Sequence, residues 1–129
     1  MTNRDKINNL LKSADDALKL EIVVNGIVKD GYDSAIAAFG PTVVLSGLMP
    51  AMAFYCATNK TDKRKADKSL VIKAIALTLF TKYKKKDHTE LFKHCLDNPK
   101  NERLMADIVD ASIALKIMVR TYKIEESHE

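Results

Sequence analysis

The side chains from which an active centre could be assembled are scattered in this chain. His88 and His94 stand six residues apart, which on one helix turns them to different faces, whereas a zinc-binding HExxH pair needs a spacing of four. His128 lies far off, in an acidic tail. His94 and Cys95 are adjacent, so on a helix they diverge and do not form a nucleophile with its base. Cys56 and Cys95 show no CxxC or Cys/His ligand spacing, and both lie in apolar helical surroundings. They read as buried structural thiols; a disulfide between them is the alternative, one that intracellular proteins of some hyperthermophiles use. Ser, Thr and Cys lack a glycine-rich elbow, and neither a phosphate-binding glycine loop nor GxGxxG occurs. Asp15-Asp16 and Glu125-Glu126 are sequential neighbours on a polar face and in the tail, where solvation is their expected role. These patterns assemble no catalytic residues, no metal site and no cofactor site. A binding or scaffold protein is the expectation.

Binding chemistry is easier to find. Of 21 Lys and Arg residues, ten fall between Lys60 and Lys86, opposed only by Asp62 and Asp67, so this stretch carries +8 within a chain of net charge +4. The flanks are therefore net acidic. Clustered cations neutralise phosphates and release condensed counterions, which suits a polyanion partner. A solvated lysine-rich loop and helix face is the plainer reading of the same charges.

The elements that would position this charge are helical. The chain has 129 residues, enough for one domain over residues 1–129 with a single core. Pro and Gly number only three and four, and strand alternation is almost absent. Ile7, Leu11, Ala14, Leu18 and Ile22 recur at helical steps, which predicts a helix from about residue 3 into the twenties, stopping at Gly26 or Gly31. An alanine-rich region from about Asp33 to Ala57 should kink or restart at Gly40-Pro41 and start afresh from Ser46 or Gly47 ahead of Pro50. It is apolar around most of its circumference, so it must be central or lie partly against a partner. Residues 58–68 read as a basic linker. It leads into a helix from Asp67 to Lys84, with Ile72, Ile75, Ala76, Leu79, Phe80 and Tyr83 inward and Lys73 and Lys82 outside. Lys84, Lys85 and Lys86 close that helix, where the macrodipole favours cations. Asp87 and Glu90 resemble a capping box for a short helix over His88 to Leu96, and Asn98-Pro99 caps and starts the last helix. Its stripe is Leu104, Ile108, Ala111, Leu115, Met118 and Tyr122, reinforced by Ile113 and Ile117. The tail from Glu125 to Glu129 is expected to fray. No stretch approaches the roughly 20 apolar residues of a membrane span. The N-terminal residues show no signal-peptide pattern, so a cytoplasmic protein with no membrane partner is expected.

One string carries a family resemblance. Gly47-Leu48-Met49-Pro50-Ala51-Met52-Ala53-Phe54-Tyr55, arriving after an alanine-rich helix and a proline-containing turn, resembles the glycine-leucine to phenylalanine stretch of the small helical subunit of type III-B CRISPR (Cmr) effector complexes. The basic linker, the apolar helix from Leu70 to Tyr83 and the long last helix follow in that subunit's order, so the likeness covers about residues 1 to 123. Two features depart from the pattern: Gly40-Pro41 sits near the place of the family's lone proline, and the linker is unusually rich in lysine. The resemblance implies a non-catalytic protein that stacks on copies of itself and on the other subunits, lining a basic groove along crRNA and target RNA.

The sequence is therefore read as an all-α compact bundle of five to seven helices acting as that small subunit in antiviral defence. Its candidate RNA contacts are Lys60, Lys63, Arg64, Lys65, Lys68, Lys84, Lys85 and Lys86. Because the guide reads the target by base pairing, a protein serving arbitrary sequences contacts phosphates and 2′-hydroxyls, and lysine suits that role as a point charge. No aromatic platform of the single-strand readers is present. The alternative is a free-standing helical adaptor or DNA-binding regulator, although the helix after the basic loop is too apolar to lie in a groove. A small helical ribonuclease using His88 or His94 with a lysine ranks third.

Overall fold

The structure is a computed structural model that describes residues 3–57 and 66–125. The amphipathic stripe at the N-terminus forms α1 (Asn3–Glu21), burying Ala14, Ala17 and Leu18, and Ile22 follows it into the core. The helix stops before both glycines, because Val23–Val24 (β1) and Ile27–Val28 (β2) form a hairpin. Asn25 and Gly26 take φ of 53° and 76°, the two positive values that a two-residue hairpin turn needs. Lys123–Ile124 (β3) pairs parallel to β2, and the Glu125 N–H donates to Val28 O at 2.7 Å. This small sheet joins an otherwise all-α body. It also means that Glu125, placed in the frayed tail from sequence, is fixed by a backbone bond; residues 126–129 lie outside the described residues.

α2 (Tyr32–Ser46) runs through Gly40-Pro41 as one helix, so of the kink or restart expected there the restart does not occur. Proline deprives one carbonyl of its donor, and Pro41 lies on the exposed side of α2, where water can replace that donor. The break falls at Gly47, with φ 90° and ψ 163°, a conformation essentially restricted to glycine. Gly47 ends α2 through its N–H to Val43 O and begins α3 (Leu48–Cys56), with Pro50 in the first turn, where no N–H is required. Ala51, Met52 and Tyr55 of α3 are buried, and the Tyr55 hydroxyl donates to Ala35 O at 2.6 Å.

The helix expected from Asp67 to Lys84 is two pieces, α4 (Ser69–Thr78) and α5 (Phe80–Tyr83), separated by Leu79. The backbone ladder crosses the junction through Leu79 N–H to Ile75 O and Tyr83 N–H to Leu79 O, so this is a bend within a rod. α4 is central: Val71, Ile72, Ala74, Ile75 and Ala76 are buried against α1, α6, α3 and α7. A helix so enclosed cannot enter a DNA groove, which removes the helix-turn-helix form of the regulator reading.

α6 (His88–Asp97) begins as anticipated, with Asp87 Oδ1 accepting from Glu90 N–H at 2.8 Å. Glu90 returns the bond one residue earlier than a capping box does, its Oε2 accepting from Lys86 N–H at 2.7 Å. Asn98 does not start the last helix. It closes α6 instead, its side chain donating to His94 O at 2.9 Å, and Asn101 caps α7 (Glu102–Val119) by accepting from Leu104 N–H at 3.0 Å. α7 buries Leu104, Ile108, Ala111 and Leu115 along α1 and α2, while Ile117 is left largely exposed.

Candidate functional site

Lys60, Lys63, Arg64 and Lys65 lie outside the described residues. The two roots of the segment that carries them are well defined, and both are fastened to the first turn of α2. Tyr55, just before the segment, bonds Ala35 O, while the Asp67 N–H, just after it, donates to the Tyr32 hydroxyl at 3.0 Å. Ala66 packs so close to Gly31 that a Cβ there would lie 3.3 Å from the alanine methyl, and Gly31 has a φ of 90°. Asp67 Oδ1 accepts from the Ser69 N–H at 3.0 Å and from its hydroxyl, which organises the start of α4. The residues on both sides of the basic segment are thus fastened to one place, the start of α2.

The described cations do not form one patch. Lys68 and Lys84 flank the α4–α5 rod, about 24 Å apart at about 1.5 Å per helical residue. Lys68 is held at its end, with its ammonium 4.4 Å from the centroid of the Phe54 ring and 5.6 Å from that of Tyr55. Between the ends, Lys73 pairs with Glu21 at 3.1 Å and Lys82 with Asp107 at 2.6 Å, so two of the ten cations serve helix contacts. At the far end Lys84 takes the left-handed conformation, φ 58°, and ends α5 through its N–H to Phe80 O. The C-terminal dipole of the α4–α5 rod favours cations here, while the next helix presents its N-terminus, where cations are disfavoured. Among the described residues no carboxylate pairs with the ammonium groups of Lys84, Lys85 or Lys86.

Lys84 and Lys85 line a depression of about 300 Å³ together with Lys93, His94, Glu90 and Asp97 from α6. Lys93 and His94 were not among the candidate contacts. They come to the site because α6 folds back beside the turn, a juxtaposition that only the i, i+1 position of both on one short helix could have hinted at. His94 also stacks at 5.6 Å from Tyr83 and lies 3.4 Å from the Asn98 amide.

The groups capable of covalent chemistry stay apart. Cys56 and Cys95 are free thiols pushed up to about 11 by burial, so both are protonated at neutral pH and poor nucleophiles. His88 has a buried Nδ1 with no hydrogen-bond partner among the described residues, and His128 lies outside them. Among the described residues no group of three or more His, Cys, Asp or Glu side chains could hold a metal ion. None of their helices is long and apolar enough to cross a membrane.

Fold and site together define a small helical protein that, among the described residues, gathers Lys84, Lys85, Lys93 and His94 around one depression. Residues 7–117 match the family model of the CRISPR-associated protein Cas_Cmr5, and the chain belongs to that family, the small subunit of type III-B effector complexes. No curated protein and no solved structure matches the chain.

Proposed function

We propose that this protein is a non-catalytic subunit that stacks along the type III-B complex and lines a basic groove for crRNA and target RNA. The observation that carries the reading is the run Lys84-Lys85-Lys86, whose ammonium groups meet no carboxylate among the described residues and of which Lys84 and Lys85 share a depression with Lys93 and His94. Family membership supports association with the other subunits. Lys60, Lys63, Arg64, Lys65 and Lys68 are the remaining candidate contacts with RNA.

Stacking is supported by apolar surface at both ends of α2. Val44 and Leu45 are 82% and 88% exposed at its C-terminal end, while Leu20, Val24 and Ile27 are exposed around the hairpin that precedes its N-terminus. Fifteen helical residues separate the ends by about 22 Å. Unlike patches at opposite ends favour a head-to-tail contact, the kind that can repeat from copy to copy. The test is co-purification of the tagged protein from its native host with sequencing of bound RNA. Recovery with the other complex subunits and with guide RNA is expected. Recovery alone and free of RNA would overturn the reading.

A further inference from the structure

Phe39 and Tyr55 are buried, but Phe54, which shares their aromatic cluster from α3, is 59% exposed. The exposed ring is nevertheless held in place. Tyr55 meets it edge to face with centroids 5.9 Å apart, meets Phe39 in the same way at 5.1 Å, and is itself anchored by its hydroxyl on Ala35 O. Lys68, at the N-cap of α4, brings its ammonium to 4.4 Å from the Phe54 centroid. An open aromatic surface with a cation against it therefore stands where the residues on both sides of the basic segment are fastened to α2.

One exposed ring is ordinary on a protein surface and needs no partner on its own account. The lysine decides what could cover this one. An apolar protein surface laid on Phe54 would also strip water from the ammonium, with which no carboxylate pairs among the described residues, and a buried cation without an anion is costly. A nucleotide avoids that cost. Its base offers a flat π face to the ring, and its phosphate compensates the cation. Bases within a duplex are stacked on one another, so the base that fits here is an unpaired one. Because Tyr55 already orders the ring, little conformational freedom is lost when a base settles on it.

We propose that Phe54 is a stacking site for an unpaired RNA base, with the phosphate of that nucleotide in the field of Lys68. The site rests on the reading of the protein as an RNA-binding subunit and adds to it a contact of a different kind. Stacking tolerates any sequence, since every base has a π face. Its loss costs affinity without changing the number of counterions released, whereas loss of a lysine contact lowers both.

The chain contains no tryptophan, so Phe54→Trp places a single indole reporter at the site. The purified full chain carrying it is titrated with hexaadenylate, hexauridylate and inorganic polyphosphate. Both oligonucleotides should quench the indole fluorescence, adenylate the more strongly, while polyphosphate, which meets the same cations without bases, should leave it unchanged. Filter binding of the two RNAs to Phe54→Ala and Phe54→Leu should show an affinity lower by about fivefold or more, the worth of one stacked base, with an undiminished salt slope. Phe54→Tyr keeps a π face and should bind as the wild type does. Equal quenching by polyphosphate, or wild-type affinity in the leucine variant, would overturn the proposal. So would loss of the other complex subunits from Phe54→Ala with RNA affinity intact, which would make the ring a protein contact. No quenching by millimolar RNA would overturn it as well, yet the groove reading would stand if the tagged protein is still recovered with guide RNA.

Discussion

The two ends of the α4–α5 rod look alike in the sequence and differ in the folded chain. At one end Lys68 lies over the rings of Phe54 and Tyr55, beside an Asp67 that is occupied in organising α4. At the other, Lys84, Lys85 and Lys86 follow one another through a left-handed turn with no carboxylate on their ammonium groups among the described residues. Between them Lys73 and Lys82 are spent on Glu21 and Asp107. The difference teaches that formal charge and available charge are separate quantities. A net +8 in the sequence becomes, among the described residues, one tethered cation, two paired ones and a free trio.

The largest effect should therefore come from the trio. Replacing Lys84, Lys85 and Lys86 by Ala in the assembled complex should weaken RNA binding at least about tenfold, independently of sequence, and flatten the log affinity against log salt slope by roughly 0.7 to 0.9 per lost contact. Filter binding over a salt series reads both, with assembly checked by size exclusion. Folding should scarcely change, because exposed lysines contribute little to stability. An unchanged slope would mean that this end is solvated surface and that the comparison of the two ends has no functional content.

A paired cation should behave in the opposite way. Asp107→Ala removes the acceptor for both Lys82 and Tyr83, so it should destabilise the fold by about 1 to 3 kcal/mol while making Lys82 available to phosphate. Its pH dependence follows from the folded pKa. Burial raises it, but the bonds from Lys82 and Tyr83 outweigh burial and leave it below 3.8. A depressed carboxylate pKa stabilises the folded state above the unfolded value, and that contribution is lost as pH falls through the folded one. Wild type and variant should thus differ in melting temperature at pH 7 and converge below about pH 4. A gap that persists unchanged at pH 3 would show that packing, and not the ionised acceptor, is what Asp107 supplies.

Asp110, one turn further along α7, should show the reverse sign with a smaller size. Its folded pKa is raised, chiefly by burial, so its protonated form is the stabilising one and that contribution disappears as pH rises through the folded value. Asp110→Asn should therefore leave the protein as stable or up to about 1 kcal/mol more stable at pH 7, with no gain at pH 3. Clear destabilisation at pH 7 by chemical denaturation would show that the ionised carboxylate is the form the fold favours.

The pairing of these charges was the least legible feature of the sequence. Lys73 and Lys82 could be placed outside the apolar stripe by their spacing alone. Their partners, Glu21 and Asp107, are brought in by packing between elements distant in sequence, which no local period encodes. The stripes of α1 and α7 were readable because each buries one face over many turns. At Pro41 the restart was not needed because that side of α2 is exposed, so water can replace the missing donor, and the sequence does not say which side faces out. The hairpin was missed although Val23-Val24-Asn25-Gly26-Ile27-Val28 contains the Asn-Gly signal, since two apolar residues on each side are too few to show alternation. The start of α7 moved from Asn98 to Asn101 because two capping asparagines stand three residues apart, and the first is taken by the end of α6.

Lys68 gives the smallest expected effect and the sharpest test of whether tethering matters. Its ammonium over Phe54 contributes about 0.5 to 1 kcal/mol at a partly exposed site, the usual range for a cation–π contact. Lys68→Met keeps an unbranched side chain able to lie on the ring and removes the charge, so stability should fall by no more than that amount. If the ring holds the ammonium away from phosphate, the salt slope of RNA binding in the complex should move by clearly less than one contact. In the same assay each lysine of the trio removed singly should move it by nearly a whole one. Equal slopes for Lys68→Met and Lys85→Met would break the comparison, because a cation resting on an aromatic face would then be as available to RNA as one with no partner at all.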